Sequence, residues 1–345
     1  MKNSLNGIRS LGLALVGTLV FTSPGFAEST QIVEATAKVA AAAEKFLAGL
    51  SETQRAAVKY PFSDEEQKAK WSNLPEPMYH RHGLRLGDLT AAQREAAMSV
   101  LAATLSPMGY QKVVEIVEAD EVLRKDGNPP NIVFGKDEFY LSFVGAPSAT
   151  TPWIVQFGGH HLALNATLAG SHGILTPSLT AAQPAIYKVD GKTVRPLGRE
   201  SDKSFVVINA LNEEQKKQAI LGSAFRDLVL GPGHDGKTIA PEGVKVATFT
   251  EKQKELLLDL VNEWVGIVNE SAAAEKMVEI KSHLSETYFA WSGPTVPGSA
   301  AYFRIQGPTL LIEYAPQNLG GNPLNHIHTI YRDPTNDYGK RYTAK

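Results

Sequence analysis

The stretch Tyr302-Phe-Arg-Ile-Gln-Gly307-Pro308-Thr-Leu-Leu-Ile-Glu-Tyr314 decides the fold class. Two short runs rich in β-branched and aromatic residues flank Gly307-Pro308, which is the pattern of a β-hairpin. Leu310 to Tyr314 is apolar on both faces, so it reads as a buried central strand. Working outward, His326 to Tyr331, Ile132 to Val144 and Trp153 to Leu164 also read as strands. The N-terminal third instead reads as helical. Ser51-Glu-Thr-Gln54, Ser63-Asp-Glu-Glu66 and Thr90-Ala-Ala-Gln93 fit the capping box, and Ala97, Val100, Leu101 and Leu105 then recur at helical spacing. Further helices are expected over Asn212 to Leu230 and from Thr250-Glu-Lys-Gln253, the latter with Leu256, Leu257, Leu260, Val261 and Trp264 on one face. The expected architecture is α+β, with helices packed on a largely antiparallel sheet that carries the C-terminal half. No repeat, low-complexity block or linker is evident.

The chain start has the three zones of a secretory signal. Lys2 and Arg9 are basic, Leu11 to Phe21 is apolar, and Gly25-Phe26-Ala27 supplies small residues for cleavage. The apolar run is short for a membrane span. Residues 1–27 are thus expected to be a signal peptide and 28–345 one α+β domain, periplasmic or secreted, free of the membrane once cleaved. A net charge of −2 argues against a nucleic-acid partner. Cysteine is absent, so stability must come from packing, and any transition-metal site must use histidine, carboxylate, tyrosine or backbone groups.

Two motifs are set aside. Gly231-Pro-Gly-His-Asp-Gly236-Lys237-Thr238 matches the P-loop pattern, but that loop works only between a strand and a helix. Here a helix is expected before it, and Pro241 and Gly243 oppose one after it. His80-Arg81-His82 sits among Pro75, Pro77 and Gly83 and reads as a loop with solvated histidines.

The residues that point to chemistry lie later in the chain. On a strand, His326 and His328 project to one face with Cα atoms roughly 6.6 Å apart, which lets two ring nitrogens reach one cation. Glu313, on an apolar strand, needs a compensating partner: either a metal or Arg304 on the neighbouring hairpin strand. Gly158-Gly159-His160-His161 ends the strand from Trp153. Neighbours on a strand face opposite ways, so at most one of His160 and His161 should ligate. His160 or His161, Glu313, His326 and His328 would make a three-histidine, one-carboxylate site. Arg332 could bind an anionic substrate group and Tyr338 could donate a proton, and Arg304 joins them as a catalytic candidate. One divalent metal is expected, zinc first, with copper or iron as alternatives. The expected activity is a metal-dependent hydrolase, with an oxidoreductase or a non-catalytic metal- or ligand-binding protein as rivals. The substrate is not legible.

Trp153-Ile-Val-Gln-Phe-Gly-Gly-His-His-Leu-Ala-Leu-Asn165, Tyr302 to Tyr314 and His326-Ile-His-Thr-Ile-Tyr-Arg-Asp-Pro-Thr-Asn-Asp-Tyr-Gly339 resemble the uncharacterised "domain of unknown function 3500" family. Leu89-Thr-Ala-Ala-Gln-Arg94 and Leu105-Ser-Pro-Met-Gly-Tyr110 are similar to its helical part. The resemblance implies a single-domain member of a commonly secreted family and carries no established reaction.

Overall fold

The computed structural model describes residues 24–127, 129–319 and 321–342, with side chains from Val33 onward. The expected signal segment therefore lies outside the described residues except for its end, which from Pro24 is the start of a helix. The architecture is α+β, and the sheet is mostly antiparallel. Its main strands are β1 (Tyr140–Val144), β2 (Trp153–Gly159), β3 (Leu162–Ala169), β4 (His172–Ala182), β5 (Tyr288–Ser292), β6 (Tyr302–Gly307), β7 (Leu310–Pro316) and β8 (Ile327–Arg332). They lie in the order β1-β2-β3-β4-β8-β7-β6-β5, with two-residue strands at both edges. The hairpin expected around Gly307-Pro308 is β6–β7.

The order is a mirror about its middle, and most of what is attached follows it, the small hairpin of Tyr187–Val189 with Lys192–Val194 excepted. The longer helices are α1 (Pro24–Ala48), α2 (Ala91–Thr104) and α3 (Pro107–Asp126) before β1, and α4 (Gly198–Ala210), α5 (Glu251–Val265) and α6 (Glu270–Ser282) before β5. In the first half, Lys59 pairs parallel with Phe143 and Leu84 antiparallel with Leu141. In the second, Ile220 pairs parallel with Trp291 and Val244 antiparallel with Phe289. Gly83 and Gly243 precede these short strands, both with positive φ (105° and 97°). A Cβ there would meet Leu141 O at 2.5 Å and Phe289 O at 2.2 Å. Capping boxes at Ser51 and Thr90 match those at Asn212 and Thr250, and their glutamines bond to each other: Gln54 with Gln93, Gln215 with Gln253. Backbone pairing between the two halves runs along two seams. β4 pairs antiparallel with β8, and among the helices Leu105 bridges Val268 through Ser106 N–H to Ile267 O and Asn269 N–H to Thr104 O. The fold is thus an internal duplication about an approximate two-fold axis, and the expectation of no repeat needs correction: Gly83, Thr90 and Gln93 recur at one fixed offset as Gly243, Thr250 and Gln253.

Other expectations need correction. Of the run from Ile132, only Tyr140–Val144 is a long strand, because a turn from Gly135 (φ 123°) to Glu138 interrupts it. The stretch Trp153–Leu164 is a hairpin that reverses at His160-His161. The helix expected over Asn212 to Leu230 stops at Ala219, where Ile220 and Leu221 turn to bond the edge of β5. The cap near Ser63 belongs to Asp64, which accepts from Gln67 N–H. The sequence reading passed over β4, which contains Pro177. That residue sits at a bulge between the pairs Leu164–Ser178 and Ala166–Leu175, where a missing N–H breaks no ladder bond.

Helices cover one face of the sheet with a core that includes Val39, Phe46, Val100, Leu101, Val113, Leu257, Leu260 and Trp264. The other face is covered by the two equivalent excursions, residues 61–82 and 221–242, over Ile154, Leu179, Ala181, Leu311 and Ile330. No described helix is long and apolar enough to cross a membrane.

The equivalence makes a quantitative claim about the paired glutamines. Gln93→Ala and Gln253→Ala should each cost about 1–2 kcal/mol, from a lost cap bond and a partner left unpaired. The double variant should lose the sum within about 0.5 kcal/mol, since the sites share no partner. Urea unfolding of the three variants checks this.

Candidate metal centre

The site forms where the loop-covered face ends, beside the central strand pair. Leu162 pairs with Thr180 and Thr180 with Thr329, so His161, Ala181 and His328 follow one row across three strands. Cross-strand partners share a face. Ala181 offers only a methyl between the two imidazoles, which leaves them room to meet above it. Thr180 and Thr329 point to the helix side, where their hydroxyls lie 2.7 Å apart and Trp264 Nε1–H donates to Thr329. His326 lies just before β8, on the same side as His328.

His161, His326 and His328 are all buried, and one ligand atom from each falls within 4.8 Å of the others. His161 Nε2 and His326 Nε2 are 3.0 Å apart, as are His326 Nε2 and His328 Nε2. Nitrogens bound at 2.0–2.1 Å in a tetrahedral site would be roughly 3.3 Å apart. Tautomers follow from the far ring nitrogens. His326 Nδ1 lies 3.0 Å from Leu319 O, and His328 Nδ1 lies 2.9 Å from Asp227 Oδ1. Both oxygens are acceptors, so both Nδ1 atoms carry the proton and both Nε2 lone pairs face inward. Lone pairs crowded at this distance repel unless a cation or proton sits among them. Burial pushes His161 far below the usual imidazole range, with His160, His328 and His326 adding to it. His326 is pushed down to about 4, by burial first and His328 second. Burial is the largest single influence on Asp227 and opposes its ionisation, but His328, the Leu228 amide and His326 together outweigh it and hold the carboxyl below its usual range. His161 and His326 are therefore held neutral by their burial. This buried trio could hold a metal ion.

Each ligand is held from outside. His161 has φ 63° in a two-residue turn between β2 and β3, and its N–H donates to Asn73 O at 3.2 Å. Arg81 ties that turn to the first excursion by donating to Gly159 O, Ser72 O and Leu74 O. His160 stacks on His161 with ring centroids 3.6 Å apart and bonds Asp120 Oδ1 at 2.6 Å through Nδ1. So one histidine of the pair faces the trio and the other braces it, but the reason is a turn with stacked rings, not strand alternation. Asp227 belongs to the second excursion, and Glu313 pins that segment: its carboxylate accepts from Val229 N–H at 2.9 Å, Leu230 N–H at 2.8 Å and Tyr302 O–H at 2.6 Å.

Several expected site residues thus have other work. Glu313 contacts neither the trio nor Arg304 as an ion pair; backbone amides and Tyr302 compensate its charge. Arg304 pairs instead with Glu242 at 2.6 Å. Arg332 spends its guanidinium on Leu230 O, Gly231 O, Asp235 and Asp337. Tyr338 accepts from Trp71 Nε1–H and donates to Asp235. These residues fasten the excursions to the sheet. The P-loop-like stretch is irregular chain with neither strand nor helix at its ends, and its Asp235 serves that fastening. His80 and His82 are both exposed, as expected, with His80 beside Glu76 and His82 bonding Gln67 at 2.8 Å. Asp227, Asp120 and Ala181 had no signal in the sequence, since each reaches the site only through tertiary contact. A cleft of about 630 Å³ by His172 and Tyr342 lies apart from the trio. Its Lys276 and Arg341 are paired with Asp333 and Glu279.

Asp227→Asn should weaken zinc binding about 10–100-fold while leaving the fold intact, as loss of an orienting partner does. Arg304→Lys, remote from the trio, should leave it unchanged. Zinc titration against a competing chelator separates the two.

No curated protein and no solved structure matches the chain. A family model described as "Protein of unknown function (DUF3500)" matches residues 33–340. That span takes in both duplicated halves and all three histidines, and the chain belongs to this family.

Proposed function

We propose that the protein is an exported metal-dependent enzyme, most simply a zinc hydrolase. The observation that carries this reading is the convergence of three imidazole Nε2 atoms from His161, His326 and His328. Three protein ligands suit a catalytic ion, which keeps a fourth position for water or substrate; a structural ion has that position filled by protein. Zinc bound there would lower the pKa of a coordinated water and polarise a substrate oxygen. Asp227, Leu319 O and the His160–Asp120 pair would fix the ligands' orientation. Copper or iron on the same trio is the alternative, since imidazole serves all three metals. Export rests on the segment Met1 to Ala27.

The centre is tested by elemental analysis of protein from its native compartment, with about one metal ion per chain expected. His161→Ala, His326→Ala and His328→Ala should each remove most of it; full metal content in all three would end the proposal. Zinc at 100 times its Kd should add about 2.7 kcal/mol of stability. Protons compete for the imidazoles, so the zinc-induced rise in Tm should be larger at pH 7.5 than at pH 5. Equal melts with zinc and with chelator at pH 7.5 would count against it. Hydrolysis of 4-nitrophenyl acetate should fall on chelation and return with zinc. Mass spectrometry of exported protein should find its N-terminus at or near Glu28.

A further inference from the structure

The two equivalent excursions leave a cleft of about 460 Å³ between them, lined by Ala69, residues 71–74 and Tyr79 on one side and by Asp227, Leu228 and residues 231–234 on the other. Both walls touch the trio: Asn73 O accepts from His161 N–H, and Asp227 bonds His328. The cleft therefore adjoins the residues that hold two of the three histidines, and its chemistry is uneven in an informative way.

No lysine or arginine lines it; the ionisable side chains on its walls are Asp227, with half its side chain exposed, His234 and Tyr79. A carboxylate facing the space, with no lysine or arginine on the walls beside it, disfavours an anionic ligand such as a phosphate ester or carboxylate. A cationic ligand is disfavoured too. Asp227 Oδ1 is already engaged by His328, Gln317 and its neighbour's Leu228 N–H. The aromatic rings also have cations on them: Lys70 and Arg81 lie about 5.5 Å from the Tyr79 ring, and Arg332 lies 5.5 Å from Trp71. An ion on the trio would add two positive charges alongside. What remains is the half-buried ring of Tyr79 and the edge of the buried Trp71, with Leu74, Leu228 and Pro232 around them. Such surface favours a flat apolar body with few, well-placed polar groups.

We propose that this cleft binds an uncharged organic molecule carrying a planar ring, as the substrate of the metal centre; the substrate role, though not the binding, rests on the hydrolase reading above. The two excursions supply one wall each, so the ligand sits across the duplication.

Benzamide, benzoate and benzamidine share a ring and differ in charge, which makes them the probes. Ligand-observed NMR titrations should be run first on chelator-treated full-length protein, where no metal can capture the carboxylate. Benzamide should bind at least about tenfold more tightly than either charged probe. Tyr79→Ala, on the cleft wall and outside the trio, should weaken benzamide binding about tenfold or more without lowering zinc content. Equal or tighter binding of benzoate or benzamidine, no saturable binding of benzamide, or benzamide binding that Tyr79→Ala leaves intact would each overturn the proposal. Zinc-loaded protein then separates the two ideas. Selective benzamide binding in a protein that takes up no zinc would uphold the cleft and sink the metal centre. Zinc uptake with no charge selectivity would do the reverse.

Discussion

Antiparallel pairing of His172–Ala182 with Ile327–Arg332 holds the two halves of the molecule in one sheet. Each half is a helical layer on four long strands, and each would end at this seam with an open, apolar edge. Open edges of that kind invite pairing with other chains. Here each half closes the other's edge, and the bridge between Leu105 and Val268 repeats the closure among the helices. The histidines depend on the same seam. His161 reaches across the end of the strand from His172 to meet two imidazoles from its partner, so neither half holds the trio alone.

Loops carry the rest of the site, and buried polar contacts fix them. Glu313 shows how. A carboxylate in an apolar strand needs donors, and it finds them in the amides of Val229 and Leu230 and in Tyr302. That places Asp227, two residues earlier, against His328. Arg332 and Tyr338 do similar service through Asp235 and neighbouring carbonyls. Side chains with the look of catalytic groups act here as fasteners, because burying a charge on a sheet obliges some loop to come and satisfy it.

How much of this could be read beforehand depended on distance along the chain. His326 and His328 were legible because strand alternation puts them together, and the hairpin at Gly307-Pro308 because its turn chemistry is local. The capping boxes at Ser51 and Thr90 and the helix starts at Asn212 and Thr250 were legible for the same reason, while their pairwise equivalence emerges only when the two halves are set side by side. The strand with Pro177 was missed because a bulge that shelters a proline leaves no local mark. Glu313 was correctly read as needing a partner, but backbone amides more than eighty positions away have no signature in sequence. Asp227 fell inside an expected helix that ends early, since Ile220 and Leu221 are drawn off to a sheet edge.

The duplicated scaffold is built twice but furnished once. The turn equivalent to His160-His161 is Pro308-Thr309, which has no imidazole. Joining the halves also requires strands some 150 residues apart to find each other, and contacts of that span form late because loop closure must come first. The local hairpins and helix pairs of either half can assemble earlier. Since His161 comes from one half and His326 and His328 from the other, any ion they hold would be captured only after the halves have docked. Metal loading would then act as a seal on a finished molecule, not as a nucleus for a forming one.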